Sequence, residues 1–229
     1  MDQLLIALDV DSSARAITLA DELRDVAGGF KIGSRLFTAE GPTLVRQLVD
    51  RGDRVCLDLK YHDIPSTVAS AVRAASALGV WMVTVHASGG VAMMRAAKAA
   101  AAEAPGSMRV VGVTVLTSFD EAACGEVGIT RPVADQVDAL ASLALRAGID
   151  GIVASPLELG RLRAKCDRNF LIVTPGIRQR AVDDDQSRTL GPKAAVRAGA
   201  SYLVVGRPII AADSPRAAAE AIGAEISSA

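Results

Sequence analysis

Residues 54–63 are Arg-Val-Cys-Leu-Asp-Leu-Lys-Tyr-His-Asp, an apolar run that gains charged residues towards its carboxyl end. Its first part is short and aliphatic, which is typical of a parallel strand that is buried on both faces. Charged side chains at the carboxyl end of such a strand are typical of the functional edge of an α/β protein. The stretch therefore predicts a parallel α/β fold with a polar site at the strand ends.

Runs of this kind occur eight times, at residues 4–10, 29–33, 54–60, 80–87, 109–116, 151–155, 170–176 and 201–207. Alanine-rich segments that predict helices lie at residues 12–26, 38–51, 65–78, 90–104, 133–147, 156–165, 192–198 and 215–226. Eight β-then-α units without a change of composition favour one (β/α)₈ TIM barrel, a single domain over residues 1–229. An open doubly wound sheet is the alternative, but no Gly-x-Gly-x-x-Gly motif follows the first run.

The composition excludes several classes of protein. The 229 residues carry a net charge of −1, without the basic excess that nucleic acid or an anionic membrane surface requires. No apolar run approaches the roughly 18 residues of a transmembrane helix, and the amino terminus lacks the basic region of a signal peptide. The three cysteines lack a CxxC spacing, so we expect reduced thiols in a cytoplasmic protein.

Polar residues recur where the predicted strands end. Because the carboxyl ends of barrel strands form one rim, these side chains are expected to meet at a single active site. Charges that merely end strands in wet loops would explain each residue separately, but not the same arrangement on the first four strands. The residues are Asp9, Lys31, Asp58, Lys60, His86 and Thr117.

Lys60 is the centre of the predicted site. In a strand, residues two apart point the same way, so Asp58 and Lys60 share one face while Leu57 and Leu59 pack on the other. Asp63 follows the strand and can fold back over the rim. Two nearby carboxylates favour the ammonium form of the lysine, which suits a proton donor better than a Schiff-base nucleophile. A purely structural ion-pair network remains an alternative.

A second predicted site would bind phosphate. Gly206 and Arg207 follow the last strand, where TIM barrels bind phosphate through a backbone approach and a bidentate arginine. Residues 174–178 would form the facing wall. The long polar stretch at about 177–190, which includes Gln186, has the position and length of a phosphate-gripping lid. His62 and His86 lack the spacing of a metal-binding motif, and His86 is expected to fix strand ends through hydrogen bonds.

Residues 58–67, Asp-Leu-Lys-Tyr-His-Asp-Ile-Pro-Ser-Thr, resemble the signature of the orotidine 5′-phosphate decarboxylase family. Weaker matches follow in the expected order along the chain, at residues 7–9, 30–33, 85–90, 115–118, 174–178, 185–186 and 205–207. The resemblance implies a TIM barrel that removes CO₂ from orotidine 5′-phosphate to give UMP, the last step of de novo pyrimidine nucleotide synthesis. It also implies that the reaction uses no metal and no cofactor.

The resemblance further implies a role for each matching residue. Lys60 would protonate the carbon that loses CO₂, Asp58 would lie near the departing carboxylate, and Lys31 and Asp9 would hold the ribose hydroxyls. Thr117 would contact the pyrimidine region. Phosphate would be bound by Gly206, Arg207, Gln186 and Arg178. Asp63, Ile64 and Thr67 would reach into the active site of a partner subunit, which implies a homodimer with shared sites.

Two other functions compete with this interpretation. Sugar-phosphate enzymes of the same barrel group, such as 3-keto-L-gulonate 6-phosphate decarboxylase or hexulose phosphate synthase, have a similar Asp-x-Lys-x-x-Asp pattern but use Mg²⁺. A glutamate at the end of their second strand helps to hold that metal, whereas Lys31 of this chain would repel it. A non-catalytic nucleotide-phosphate binder would not need the lysine and carboxylates at the rim.

Overall fold

The computed structural model describes residues 2–103, 106, 108–177 and 190–229. Eight parallel strands close into one barrel in sequence order, from β1 through β8 and back to β1. The strands are β1 (Leu4–Ala7), β2 (Gly29–Gly33), β3 (Val55–Tyr61), β4 (Met82–His86), β5 (Arg109–Val113), β6 (Gly151–Val153), β7 (Leu171–Thr174) and β8 (Tyr202–Val205). This arrangement confirms the predicted (β/α)₈ barrel.

Helices follow the strands and cover the outside of the barrel. They are α1 (Ser13–Leu23), α2 (Ser34–Asp50), α3 (Pro65–Ser76), α4 (Gly90–Ala102), α5 (Glu121–Glu126), α6 (Val133–Ala147), α7 (Leu159–Arg163), α8 (Pro192–Arg197), α9 (Arg207–Ile210) and α10 (Pro215–Ser227). Short 3₁₀ turns precede α4 at Ala87–Gly89 and α7 at Pro156–Glu158. None of the helices within the described ranges is both long and apolar enough to cross a bilayer.

The strands separate two layers of apolar side chains. The larger layer lies between the strands and the helices and includes Ile6, Leu57 and Val83, each with 0% of its surface exposed. The smaller one fills the barrel and consists of Leu5, Cys56, Met82, Val111 and Val173. Successive strand residues point to opposite faces of the barrel wall. The next inward-facing residue of a strand, two positions beyond a residue of the inner layer, therefore lies closer to the rim. The inner layer thus forms the apolar floor of any binding site at the rim.

Aromatic and arginine side chains close the amino-terminal end of the barrel beneath that floor. Trp81 and Tyr202 meet edge to face, with ring centroids 5.1 Å apart. The guanidinium carbon of Arg54 lies 4.0 Å from the Trp81 ring centroid, within the range of a cation–π contact. This plug separates the inner layer from solvent on the side opposite the rim.

The elements depart from the predicted ones in several places. Helix α2 begins at Ser34 instead of residue 38, and Gly41 interrupts it with a φ of 67° just before Pro42. Helix α5 was not predicted, because its six residues are too few to show an amphipathic repeat; Asp120 caps it by accepting a 2.9 Å hydrogen bond from the Ala123 N–H. The predicted helix at 156–165 is a 3₁₀ turn followed by the shorter α7.

Candidate active site

A cavity of about 260 Å³ opens at the carboxyl ends of the strands. This volume is close to the lower end of the range for small-molecule sites, about 300–1,000 Å³. Its base is apolar and includes Cys56, Val113 and Val204. The polar side chains and glycines around it include most of the residues that the sequence predicts there, namely Asp9, Lys31, Asp58, Lys60, Thr117, Gly206 and Arg207.

Four of these side chains form a row of alternating charge along strands β1 to β3. Lys31 Nζ lies 3.1 Å from Asp9 Oδ1 and 3.6 Å from Asp58 Oδ2. Lys60 Nζ lies 2.8 Å from the same Asp58 Oδ2. The side chains of Lys31 and Asp58 are only 12% and 14% exposed, whereas that of Asp9 is 53% exposed and faces the opening. The side chain of Lys60 is 35% exposed, so the two middle members of the row are buried and both of its ends are open to the cavity.

Asp58 is held in its ionised form by this row. Burial would raise the pKa of its carboxyl group, but the charges of Lys31 and Lys60 and hydrogen bonds from Lys60 and Thr84 outweigh that effect. The pKa of Asp58 consequently lies below its ordinary value of 3.8. A buried carboxylate that stays charged at neutral pH can orient two cations at once.

Lys31 is likewise held as an ammonium ion. Burial lowers the pKa of its amine, but attraction to Asp58 and Asp9, together with the hydrogen bond to Asp9, raises it above the ordinary value of 10.5. The ammonium group of Lys31 thus occupies the space between the carboxylates of Asp9 and Asp58. Among the described residues, no group of three His, Cys, Asp or Glu side chains is arranged to hold a metal.

The backbone at Lys60 is unusual. Its φ of 51° is the only positive value found for a non-glycine residue in the described ranges. The pairing of β3 with β4 also shifts here, from Leu57 opposite Val83 to Tyr61 opposite Val85. The predicted regular strand through Lys60 is thus wrong in this detail, although Asp58 and Lys60 do come together as expected.

Thr84 is a residue of the site that the sequence analysis missed. Its hydroxyl oxygen accepts a 2.9 Å hydrogen bond from the Lys60 N–H and lies 2.9 Å from Asp58 Oδ1, to which it donates. The available signal was a polar residue in the middle of Met-Val-Thr-Val-His, at an inward-facing position of β4. Threonine is common in strands, so that signal is weak by itself.

Asp63, Ile64 and Thr67 lie on the surface beside the cavity. Asp63 Oδ1 accepts a 2.6 Å hydrogen bond from the N–H of Ile64, and no ion pair within 4 Å joins Asp63 to Lys60 of the same chain. Ile64 is 64% exposed. Within one chain, Lys60 is therefore not held between two aspartates.

The predicted phosphate site is only partly described. Gly206 and Arg207 line the cavity, and Arg207 begins helix α9. A Cβ atom on Gly206 would lie 3.4 Å from both Asp9 Oδ2 and the Ala7 Cβ, so the backbone here packs closely against the rim. The other two predicted phosphate ligands, Arg178 and Gln186, lie outside the described residues.

The two histidines lie next to each other. The ring centroids of His62 and His86 are 5.3 Å apart. Burial, and then the charges of His62 and Lys60, lower the pKa of His86, so its imidazole is neutral at pH 7. The same neighbourhood affects Cys56 in the floor, because burial and the charge of Asp58 raise the pKa of its thiol to about 12.

Comparisons with known proteins identify relatives of this chain. A model of the family described as "Orotidine 5'-phosphate decarboxylase / HUMPS family" matches residues 2–222. The orotidine 5'-phosphate decarboxylase of Moorella thermoacetica is 52% identical, covering 98% of this chain and 92% of the relative. That of Dichelobacter nodosus is 50% identical, covering 97% and 98%. The crystal structure of the Lactobacillus acidophilus enzyme of this name superposes with a TM-score of 0.87 at 38% identity, covering 97% of this chain and 98% of the other.

Proposed function

The chain belongs to the orotidine 5′-phosphate decarboxylase / HUMPS family, and we propose that it converts orotidine 5′-phosphate to UMP and CO₂, the last step of de novo pyrimidine nucleotide synthesis. We propose further that it does so without metal or cofactor. The observation that carries the proposal is the row Asp9–Lys31–Asp58–Lys60, in which a lysine is held against a charged, buried aspartate at the barrel rim.

The chemistry requires a fixed positive charge beside the reacting carbon. When the bond to the carboxylate breaks, its electron pair stays on the pyrimidine carbon and CO₂ leaves. The Lys60 ammonium stabilises that developing negative charge because it is already in place and needs no reorganisation. It then donates its proton to the carbon, becomes a neutral amine, and is reprotonated by solvent.

Asp58 and Lys31 keep Lys60 in position for this step. Asp58 Oδ2 accepts from Lys60 Nζ at 2.8 Å and faces Lys31 Nζ at 3.6 Å, so its carboxylate is fixed between two cations. Asp58 lies beside the departing carboxylate of the substrate. Lys31 and Asp9 bind the ribose hydroxyls, and the half-buried Thr117 contacts the pyrimidine region from the opposite wall of the cavity.

One lysine cannot provide all of the stabilisation. Enzymes of slow reactions lower the barrier by up to about 23 kcal/mol, and binding of remote parts of the substrate has to contribute. Gly206 and Arg207 would bind the substrate phosphate at the end of β8. Arg178 and Gln186, which lie within residues 177–190, would also bind the phosphate.

The active unit in this proposal is a homodimer. Asp63, Ile64 and Thr67 are exposed beside the cavity of their own chain, and Ile64 is 64% exposed. In the partner's site, Asp63 would supply the second carboxylate for Lys60, and Thr67 would bind the ribose. These residues are exposed at the start of α3, and Asp63 makes no ion pair with Lys60 of its own chain. Both observations support this assignment.

The magnesium-dependent sugar-phosphate reactions fit this chain less well. Lys31 already neutralises Asp9 and Asp58 from distances of 3.1 and 3.6 Å. A divalent cation between these carboxylates would be repelled by the ammonium group, whose burial leaves it little freedom to move away. At the position where those enzymes have a glutamate that helps to hold the metal, this chain has Lys31.

The test is an ultraviolet absorbance assay of orotidine 5′-phosphate with protein that has been treated with EDTA. The proposal expects full conversion to UMP, with the same rate after Mg²⁺ is added back. Binding of UMP without any consumption of orotidine 5′-phosphate would instead favour a non-catalytic nucleotide binder. Activity that appears only with Mg²⁺ would favour a sugar-phosphate type of site.

A further inference from the structure

Thr84 connects the backbone of Lys60 to the carboxylate of Asp58. We propose that Thr84 is a positioning residue for the decarboxylation, which fixes where the Lys60 ammonium lies relative to Asp58. The inference rests on the proposed function, because it concerns the geometry of the same proton donor. Nothing in it requires Thr84 to touch the substrate.

Strand β3 pairs irregularly with β4 next to Lys60. Leu57 pairs with Val83 and Tyr61 pairs with Val85, so four steps along β3 are matched by two steps along β4. The extra residues bulge from the ladder, and the backbone N–H of Lys60 bonds to the Thr84 hydroxyl at 2.9 Å. A side chain thus replaces the ladder partner that the bulge removes.

The backbone of Lys60 has an unusual conformation that needs support from its surroundings. Its φ of 51° is in the left-handed region, which a residue with a Cβ atom occupies only when its surroundings hold it there. The Thr84 hydroxyl is a direct restraint on this residue. If it were lost, Lys60 would be free to return towards an extended conformation, and its ammonium would leave the position beside Asp58.

The two hydrogen bonds of the Thr84 hydroxyl have defined directions. The Lys60 N–H can only donate, so the Thr84 oxygen accepts from it, and an ionised Asp58 can only accept, so the hydroxyl proton points at Oδ1 from 2.9 Å. Asp58 Oδ2 in turn accepts from Lys60 Nζ at 2.8 Å. These bonds close a ring that holds Lys60 at both its backbone and its side chain.

The Thr84–Asp58 part of the ring is shielded from water, whereas the side chain of Lys60 is 35% exposed. Thr84 is 2% exposed, and the Asp58 side chain is 14% exposed. Water would compete poorly for either hydrogen bond, so a variant without the hydroxyl leaves one oxygen of Asp58 without its donor. The position of Lys60 and the ionisation of Asp58 should then change together.

The test compares Thr84→Val, which removes the hydroxyl at nearly constant shape, with Thr84→Ser, which keeps both hydrogen bonds. Thr84→Val should lower kcat by about 10- to 150-fold, the effect of losing a hydrogen bond to a charged group. Thr84→Ser should retain most of the wild-type kcat. The dissociation constant for UMP should change little in both, because the phosphate site lies at the end of β8.

The pH profile separates positioning from a general loss of structure. The Thr84 hydrogen bond helps to lower the pKa of Asp58. Without it that pKa rises, so kcat/KM of Thr84→Val should begin to fall at a higher pH than that of the wild type as the solution is acidified. A merely structural defect would reduce kcat/KM by the same factor at every pH.

Thr114→Val is the matched control. Thr114 is 5% exposed and donates a 2.8 Å hydrogen bond to the Val153 carbonyl on the neighbouring strand, away from Asp58 and Lys60. It should lose some thermal stability and keep the wild-type pH profile. If Thr84→Val does not fold, Thr84→Ala lacks the same hydroxyl and is measured in its place.

The outcomes are distinct. A loss of kcat and a shifted acid limb in Thr84→Val, with both restored in Thr84→Ser, would support the inference. A wild-type kcat and pH profile in Thr84→Val, or an equal loss in Thr84→Ser, would overturn it while leaving the decarboxylase activity in place. If the wild-type protein itself does not consume orotidine 5′-phosphate, the proposed function fails instead.

Discussion

Lys60 Nζ lies 2.8 Å from Asp58 Oδ2, although the backbone between the two residues leaves the regular strand. The pair is therefore not a simple consequence of strand alternation. It depends on the left-handed backbone conformation of Lys60, which lies in the bulge of β3. The Thr84 side chain on β4 supports this conformation through a hydrogen bond. Such strained, fully bonded arrangements are characteristic of functional sites, where the surrounding fold holds a geometry that the local sequence disfavours.

Asp58 should make the stability of the protein depend on acidic pH. Its folded pKa lies below the ordinary 3.8, so it contributes stability above about pH 3.8 that is lost as the pH falls through the folded pKa. Asp58→Asn cannot be protonated and should lose less stability over this range. Urea denaturation from pH 6 downwards measures the difference. The exposed Asp50→Asn is the control, and parallel curves for wild type and Asp58→Asn would contradict the prediction.

Arg207→Ala should weaken binding mainly through the phosphate group. A charge-assisted hydrogen bond of this kind contributes about 1.5–3 kcal/mol, which corresponds to about a 10- to 150-fold rise in the dissociation constant of UMP. Uridine, which lacks the phosphate, should bind the variant and the wild type equally. Titration calorimetry gives both constants. Arg197→Ala changes an exposed arginine at the end of α8 and serves as control.

An equal loss for UMP and uridine in Arg207→Ala would remove Arg207 from the phosphate site. A loss for UMP in Arg197→Ala of similar size would indicate a general effect of charge. In either case the phosphate would have to be bound mainly by residues 177–190.

Mixed variants should recover activity if the sites are shared between subunits. Lys60→Ala lacks the proton donor of its own site, and Asp63→Ala lacks the carboxylate that it gives to the partner's site. In a mixed dimer, one of the two sites has both residues intact. Unfolding and refolding the two inactive variants together should restore part of the wild-type kcat, measured by orotidine 5′-phosphate absorbance.

The same refolding of each variant alone is the control and should restore nothing. Native mass spectrometry of the mixture establishes that subunits have exchanged. Mixed dimers without activity would contradict the shared site.

Cys56 should resist alkylation in the folded protein. It is 2% exposed, and burial and the charge of Asp58 raise its pKa to about 12, so almost no thiolate exists at pH 8. Iodoacetamide treatment followed by peptide mapping should find Cys56 unmodified in the native state and modified after unfolding in urea. Rapid modification of the native protein would mean that the floor of the cavity is open to solvent.

The sequence was sufficient to predict the barrel, because eight buried runs and their intervening helices leave a strong pattern. It also placed Asp9, Lys31, Asp58 and Lys60 at one rim, and all four line the cavity there. It could not predict the bulge at Lys60, which arises from pairing with β4, or the part that Thr84 has in it. The local sequence around a threonine inside a strand does not indicate which groups of the neighbouring strand it will bond to in the closed barrel.

The long polar stretch shows another limit. Its composition predicts a loop at about 177–190, but Arg178 and Gln186 lie outside the described residues, so their roles stay predictions. The short helix α5 shows a third, because six residues are fewer than two helical turns and cannot show a period.

The proton-donor role of Lys60 is the central claim, and its most direct test is the rate of orotidine 5′-phosphate consumption by Lys60→Ala beside wild type, both treated with EDTA. UMP binding to each protein verifies that the variant's site is folded. The account predicts that Lys60→Ala binds UMP but has no measurable turnover, while the wild type converts all of the substrate. Turnover of Lys60→Ala at the wild-type rate would contradict it.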